Sequence, residues 1–149
     1  MTTQPQQLSP DVLKLYQHEL LKHHKTPVGF ELEFDVTHRA EGVNAACGDE
    51  IIIYTQVTAG VVVKLGFAGD SCAICRASAS MMCQYLTNQP IDKIEEVIDN
   101  IIAIISSTKE DNPVFHSHLM PLLAVRKFPV RKQCAILPWR TFTLALSSC

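Results

Sequence analysis

The chain has 149 residues, of which 47% are hydrophobic and 19% charged, and its formal net charge is −2. This length fits one domain that buries roughly 70% of its unfolded surface, so the core needs neither a disulfide nor a metal in order to form. The composition is typical of a folded globular protein, and the lack of a basic excess or a basic stripe excludes nucleic acid as an expected partner.

Neither export nor membrane insertion is predicted. The first residues lack the basic and apolar regions of a secretory signal. The most apolar segment, residues 91–105, is too short and too charged to span a bilayer. We therefore expect a cytoplasmic protein in which the six cysteines stay reduced and serve metal or sulfur chemistry rather than disulfide bonds.

The first predicted element is an amphipathic helix. Residues 1–8 are expected to be flexible. Residues 9–11 (Ser-Pro-Asp) supply an N-cap, a proline at the first helical position and an acid in the first turn. Apolar side chains recur at helical spacing to about Lys25, and a Thr-Pro pair then ends the helix.

A small sheet is predicted next. Residues 30–45 contain an extended segment around residues 34–36. Residues 51–57 and 61–67 are β-rich runs that a turn at residues 58–60 (Thr-Ala-Gly) joins into a hairpin. Strict alternation places two sets of side chains on common faces: Ile51, Ile53 and Val57, and Val61, Val63, Leu65 and Phe67.

Helices are predicted after the sheet. Small residues favour a helix from Cys72 to about Leu86, and Pro90 begins a long helix whose apolar residues repeat with a period of 3.6 up to Ile105. A polar loop and a short helix near residues 116–125 should follow.

The C-terminal helix carries Cys134, and Pro138 is expected to interrupt it soon afterwards. Strands first and helices later imply an α+β fold, with a small antiparallel three-stranded sheet that helices cover on one face. A single domain over residues 1–149 is expected, since no repeat and no domain boundary is visible.

Three cysteines and one aspartate form the most informative pattern. Cys47 and Asp49 flank a glycine, and alternate residues of an extended segment point to the same side, so the pair can hold one ion. Cys72 lies at a predicted helix N-terminus, where backbone N–H groups stabilise a thiolate. Together with Cys134, these three thiols and one carboxylate suit tetrahedral zinc or an iron–sulfur cluster.

The residues alone leave the role of this site open between a functional metal centre and a closed site that only stabilises the fold. Arg131, three residues before Cys134 on a predicted helix, could offset part of the negative charge. Otherwise the basic cluster formed by Arg126, Lys127, Arg131 and Lys132 is interpreted as a solvated face, or as a docking patch for an acidic partner.

Two further cysteines are weighed separately. Cys75 forms a Cys-x-x-Cys pair with Cys72, as in dithiol oxidoreductases, and a thiol-redox protein is therefore the weaker alternative. Cys83 is expected to lie in the core or on a partner surface. His18 and His23 are five residues apart and cannot chelate one ion from a helix, so a solvated or partner-facing helix is expected there.

Three stretches resemble the motifs of U-type iron–sulfur cluster assembly proteins. Residues 44–51 (Asn-Ala-Ala-Cys-Gly-Asp-Glu-Ile) resemble the family motif Asn-Pro-x-Cys-Gly-Asp-x-Ile, with Ala45 in place of the proline. Residues 69–82 are similar to the second motif, in which glycine stands at the position of Ser71 and serine at that of Cys75. Residues 128–139 resemble the third motif of the SufU-type branch.

The resemblance covers about residues 12–142 and favours the SufU-type branch over the IscU-type scaffold. The IscU branch has Leu-Pro-Pro-Val-Lys and a histidine before its last cysteine, whereas this chain has residues 128–133 (Phe-Pro-Val-Arg-Lys-Gln). An extra segment near residues 106–120 points the same way.

The resemblance implies a NifU-like fold and a zinc ion held through Cys47, Asp49, Cys72 and Cys134. It implies that Cys47 accepts persulfide sulfur from a SufS-type cysteine desulfurase, that Arg131 helps to exchange zinc ligands with the desulfurase, and that downstream iron–sulfur assembly proteins receive the sulfur. This would make the chain a zinc-dependent sulfurtransferase. The alternative is a scaffold on which iron and sulfide form a transient [2Fe–2S] cluster with the same ligands.

Overall fold

The computed structural model, which describes residues 10–107, 117–126 and 128–147, has one helix before a three-stranded sheet and four helical segments after it. The elements are α1 (Pro10–Lys25), β1 (His38–Asn44), β2 (Asp49–Thr58), β3 (Val61–Ala68), α2 (Ala73–Leu86), α3 (Ile91–Ser106), a 3₁₀ helix (Ser117–Val125) and α4 (Pro129–Ser147). The strands pair antiparallel in the order β1-β2-β3. The predicted α+β fold is confirmed.

Some predictions fall on other parts of the chain. The expected flexibility of residues 1–8, the N-cap at Ser9, part of the segment near residues 106–120 and the position of Lys127 lie outside the described residues. Within the described ranges, no helix combines the length and apolar character that crossing a membrane requires.

The hairpin between β2 and β3 forms through a two-residue turn. Ala59 and Gly60 have φ values of 53° and 74°, and two successive positive values match a type I′ turn, whose twist suits the flanking strands. The predicted hairpin is therefore confirmed.

A β-bulge changes which side chains of the hairpin face the core. The register shifts between Gln56 and Val57, and Val57 pairs with Val62. Val62 is consequently fully buried, whereas Val61 and Val63 are partly exposed. The predicted alternation is wrong for Val61 and Val63, because an extra residue in one strand moves every side chain beyond it to the opposite face of the sheet.

The first strand lies within the predicted range, residues 30–45, but after its predicted centre at residues 34–36. Residues 32–36 have no regular secondary structure, and β1 begins at His38. Phe34 instead packs its ring against Tyr54, with the ring centroids 5.3 Å apart. β1 is an edge strand that alternates between half-buried and exposed residues, so its sequence carries little of the apolar signal that a buried strand shows.

α4 packs on the sheet and passes through Pro138 without a break, so the predicted interruption is wrong. Proline removes one backbone hydrogen bond, the one to the carbonyl four residues earlier. Two buried hydrogen bonds hold the helix here: Trp139 Nε1 donates to Ser78 Oγ at 2.9 Å, and Ser78 Oγ donates to the Ala135 carbonyl at 2.6 Å. They tie α4 to α2, and burial of Trp139 and Phe142 adds to this attachment.

Candidate metal centre

The turn between β1 and β2 carries two of the predicted ligands. Cys47 N donates to the Asn44 carbonyl and Gly48 N donates to the Ala45 carbonyl, both at 3.3 Å. Gly48 has a φ of 70°, and a Cβ there would meet no atom within 4 Å. Glycine is therefore required by the backbone conformation rather than by space. The turn leads directly into Asp49, which is fully buried at the start of β2.

The loop between β3 and α2 brings Cys72 to the same place. Gly69 has a φ of 114°, and a Cβ on it would collide with the Glu50 carbonyl oxygen, so only glycine allows the loop to lie this close to β2. Glu50 N donates to the Asp70 carbonyl at 2.9 Å. Cys72 N donates to Asp49 Oδ1 at 2.7 Å, so that the Asp49 carboxylate fastens the loop to the sheet.

α4 supplies the third thiol. Cys134 is buried, and its Sγ lies 2.9 Å from Cys47 Sγ. The ligand atoms of Cys47, Asp49 and Cys134 all lie within 4.8 Å of one another. The Cys72 thiol interacts with the side chains of both Cys134 and Asp49. The fold thus brings together four side chains that are spread over almost ninety residues of sequence.

Burial favours the neutral form of two of these thiols, Cys72 and Cys134. It raises the pKa of Cys72 above its usual value, and the N–H group of Cys75, which donates to Cys72 Sγ at 3.4 Å, offsets only part of this effect. Burial also raises the pKa of Cys134, and interactions with the side chains of Cys47, Asp49 and Cys72 add to the shift. The helix N-terminus therefore does not by itself produce a Cys72 thiolate, and a nearby cation is needed to do so.

The donor set fits a soft metal ion. Asp49 Oδ2 is buried and has no hydrogen-bond partner among the described residues. An unpartnered carboxylate oxygen in a protein interior is costly, and coordination to a cation would satisfy it. Three sulfurs and one carboxylate oxygen are ligands that zinc accepts in tetrahedral geometry, and thiolates also hold iron–sulfur clusters.

Asn44 contacts a site cysteine in a way that the sequence did not reveal. Its Nδ2 donates to Cys134 Sγ at 3.6 Å, so it supports a thiol that is remote from it in sequence. Asn44 belongs to the first motif, but its spacing from Cys47 says nothing about a partner in α4. The contact depends on how α4 packs across β1, and no local sequence pattern predicts this packing.

Arg131 is not part of the cluster in this structure. The side chain is exposed, and its guanidinium carbon lies 5.7 Å from the centre of the Phe128 ring. Among the described residues it forms no ion pair with Asp49. The prediction of a solvated basic face is wrong for Lys132. This side chain is buried, and its Nζ donates to the Ser107 carbonyl at 3.3 Å. It thereby satisfies a carbonyl at the end of α3.

Two further cysteines of the described residues, Cys75 and Cys83, are unpaired and buried. Cys83 is a core residue, as one of the two predicted alternatives stated. Burial raises the pKa of both Cys75 and Cys83 far above the usual range. A dithiol oxidoreductase needs an accessible thiolate, so these properties disfavour the thiol-redox alternative. The helix that carries His18 and His23 was predicted to be solvated or partner-facing; His18 is exposed, whereas His23 is half-buried, with its Nδ1 at 2.7 Å from Ser80 Oγ.

Comparison with known proteins adds independent information. A family model described as the NifU-like N-terminal domain matches residues 15–135. The chain is 32% identical over 112 residues to the iron–sulfur cluster assembly scaffold protein IscU of Thermotoga maritima. The aligned region covers 75% of this chain and 78% of that protein. It is 28% identical over 126 residues to the zinc-dependent sulfurtransferase SufU of Bacillus subtilis, with 85% of each chain covered.

A solved structure shows the same architecture. The crystal structure of a candidate iron–sulfur cluster assembly scaffold protein for the SUF system from Fervidobacterium islandicum AW-1 superposes with a TM-score of 0.75. The two sequences are 26% identical, and the superposition covers 89% of this chain and 97% of that one.

Proposed function

Because the chain belongs to the family of NifU-like N-terminal domains, we propose that it works in iron–sulfur cluster assembly as a zinc-dependent acceptor of persulfide sulfur. The observation that carries the proposal is the convergence of Cys47, Asp49 and Cys134 within 4.8 Å, with Cys72 hydrogen-bonded to Asp49. We assign these four residues as the zinc ligands. The zinc dependence of the similar SufU of Bacillus subtilis supports this assignment.

Cys47 is the residue best placed to accept sulfur. It lies on a turn that is held by two hydrogen bonds of 3.3 Å, and it is only half-buried. By contrast, Cys72 is the N-cap of α2, and Cys134 lies fully buried within α4. Cys47 can therefore move outward with the least disturbance of the surrounding structure.

The transfer step is a thiol–disulfide type of exchange. The Cys47 thiolate attacks the outer sulfur of a persulfide on a cysteine desulfurase of the SufS type. One S–S bond forms on Cys47, the S–S bond of the desulfurase breaks, and the desulfurase cysteine leaves as a thiolate. No oxidant or reductant is consumed. A bound zinc ion would keep the acceptor thiols deprotonated at neutral pH and protect them from oxidation until the partner docks.

The other residues position the acceptor. Asp49 holds the Cys72 loop on β2, and Asn44 donates to the Cys134 sulfur. We propose that Arg131, which is exposed on α4 three residues before Cys134, assists the exchange of ligands when the desulfurase approaches. The acceptor chemistry requires reduced thiols, which fits a cytoplasmic location. Downstream iron–sulfur assembly proteins would receive the sulfur.

A scaffold for a [2Fe–2S] cluster is the second candidate. The 32% identity to the scaffold protein IscU of Thermotoga maritima favours it, and the same thiols suit an iron–sulfur cluster. In that case the cluster is cargo, built on the site from iron and sulfide and then passed on. Replacing Asp49 with alanine should then slow the release of the cluster.

Persulfide loading separates the two candidates. The zinc-loaded chain is incubated with the desulfurase and cysteine, and the modified cysteine is identified by mass spectrometry. Sulfur on Cys47 that is absent in Cys47→Ala supports the acceptor role, with Cys83→Ala as the control for loss of a buried thiol outside the site. Undiminished loading in Cys47→Ala contradicts it. A stable visible chromophore after anaerobic reconstitution with iron and sulfide, without loading of Cys47, supports the scaffold.

A further inference from the structure

We infer that Asn44 helps to select the nucleophile of the metal centre. Its side-chain amide bonds with the Cys134 sulfur and makes that thiolate less reactive, so that sulfur transfer is directed to Cys47, which has no such donor. The inference rests on the proposed function and deepens it. Asn44 is part of the first motif, but the resemblance implies no role for it. It is a positioning residue, because it acts on the reaction only through the sulfur that it contacts.

Strand pairing and helix packing fix the contact between Asn44 and Cys134. Asn44 is the last residue of β1 and pairs with Asp49 at the start of β2. Two residues earlier in β1, a Cβ on Gly42 would collide with the Thr141 hydroxyl of α4, so the absence of a side chain lets α4 lie directly on this strand. Asn44 Nδ2 thereby comes within 3.6 Å of Cys134 Sγ.

The protonation state of Cys134 decides which of its hydrogen bonds persist. As a thiol, Cys134 can donate its own proton to Cys47 Sγ at 2.9 Å or to the Val130 carbonyl at 3.6 Å. A thiolate that binds a metal has no proton to donate, so it can only accept hydrogen bonds. The bond from Asn44 Nδ2 is therefore the contact that persists when Cys134 is a metal ligand.

The other two thiols of the centre differ in the same respect. Cys72 Sγ accepts a hydrogen bond from the backbone N–H of Cys75 at 3.4 Å. No N–H group of the described residues donates to Cys47 Sγ, because the N–H groups of Cys47 and of the next residue donate to backbone carbonyls at 3.3 Å. Two of the three thiolates thus share their charge with an N–H donor, and Cys47 does not.

This difference ranks the reactivity of the three sulfurs. A hydrogen bond stabilises a thiolate, and its nucleophilicity falls by about half of the accompanying loss of basicity on a logarithmic scale. One N–H bond to a charged sulfur should therefore slow attack roughly 3- to 10-fold. Cys47 and Cys72 are both half-buried, so burial does not separate these two. Asn44 extends the selection to Cys134 when the site opens towards the desulfurase.

Alkylation measured at each cysteine tests the inference. The zinc-loaded chain is treated with limiting iodoacetamide, and the rate constant at each sulfur is obtained by mass spectrometry of digests. In the wild type Cys47 should react at least about threefold faster than Cys72. In Asn44→Ala the rate at Cys134 should rise roughly 3- to 10-fold, while the rate at Cys47 stays unchanged.

The charge-transfer band from sulfur to cobalt separates loss of a hydrogen bond from a more open site. Without the N–H bond the Cys134 thiolate donates more charge, so the band of Co²⁺-loaded Asn44→Ala should move to longer wavelength. Asn44→Asp has almost the same size but no N–H donor, and it should move the band in the same direction. Gln133→Ala removes an exposed amide next to Cys134 in sequence; this matched control should behave as the wild type in both measurements.

Three results would overturn the inference. Unchanged alkylation of Cys134 in Asn44→Ala is the first, and faster alkylation with an unmoved band is the second, because Asn44 would then only block access. Equal rates at Cys47 and Cys72 in the wild type are the third, and that comparison needs no variant. A wild type that binds neither zinc nor Co²⁺ through thiolates would contradict the proposed function itself, and the inference with it.

Discussion

Replacing Asp49 with asparagine should affect the metal-free and the zinc-loaded protein differently. Asparagine keeps an oxygen that can accept the hydrogen bond from Cys72 N, now 2.7 Å long, but it removes the charge and the carboxylate ligand. In the metal-free protein the bond weakens by about 1 kcal/mol as it ceases to be charge-assisted, while loss of the buried charge on the unpartnered Oδ2 returns about 1–3 kcal/mol, because the amide NH2 in its place can donate to the neighbouring cysteine sulfurs. The metal-free variant should therefore be as stable as the wild type or slightly more stable.

In the zinc-loaded protein, by contrast, Asp49→Asn should lower the stability. Loss of one ligand should weaken zinc binding about 100-fold, at the upper end of what supporting residues cost. At the same free zinc concentration this removes about 2.7 kcal/mol of the stabilisation that binding provides. For a chain of this size the melting temperature should then fall by roughly 5–11 °C relative to zinc-loaded wild type.

Thermal and urea unfolding, each with chelator and with buffered zinc, measure both halves of this prediction. Asp49→Ala removes the acceptor for Cys72 N as well and should be destabilised in both states. Asp70→Asn, an exposed acid in the neighbouring loop, is the control for a change of charge. If Asp49→Asn gains as much stability from zinc as the wild type, Asp49 is not a ligand. If the metal-free variant loses more than about 2 kcal/mol, the argument from the unpartnered oxygen is wrong.

Three further predictions concern the support of the site. Gly69→Ala should cost about 1–3 kcal/mol in urea unfolding, because a Cβ at a φ of 114° collides with β2; a wild-type midpoint would contradict this. Ser78→Ala leaves the buried Trp139 indole N–H, now bonded at 2.9 Å, without a partner, and should cost about 1–3 kcal/mol in the same assay, whereas no loss would show that another acceptor replaces the hydroxyl. The pKa values of the Cys72 and Cys134 thiols are raised, so both bind protons near neutral pH and must lose them to a metal. Apparent Co²⁺ affinity should therefore fall at least about 100-fold per unit as pH decreases from 8 to 6, and a pH-independent affinity would refute the involvement of these thiols.

The helices were predictable because their signals are local. Pro10 and the small residues after Cys72 mark two helix starts that the structure has at the same places. β1 and the bulge at Val57 were not predictable from the same kind of signal. An edge strand needs few apolar residues, and a bulge depends on how two strands pair rather than on the sequence of either one.

The candidate site likewise has features that local sequence signals predict and features that they do not. Cys47 and Asp49 lie two residues apart, a spacing that already places them together, and the structure brings Cys72 and Cys134 to them. The contact of Asn44 with Cys134, the burial of Lys132 and the continuity of α4 through Pro138 depend on packing between distant segments. The proximity of Cys47 to Asp49 was therefore predictable from local spacing, whereas the contacts of the supporting residues were not.

The chain is similar to members of both branches of the family. The third motif favours the SufU-type branch, whereas the relatives include both an IscU scaffold at 32% identity and a SufU sulfurtransferase at 28% identity. Both kinds of protein can be built from the same thiols. Chemistry at Cys47, rather than similarity, separates them.

The most direct test is the rate of alanine production from cysteine by a SufS-type desulfurase, measured with and without one equivalent of the zinc-loaded chain. Sulfur acceptance predicts a large stimulation, because transfer to Cys47 frees the desulfurase for the next turnover, and this stimulation should be lost in Cys47→Ala while Cys83→Ala retains it. No stimulation by a zinc-loaded chain that demonstrably binds the desulfurase would contradict the acceptor role.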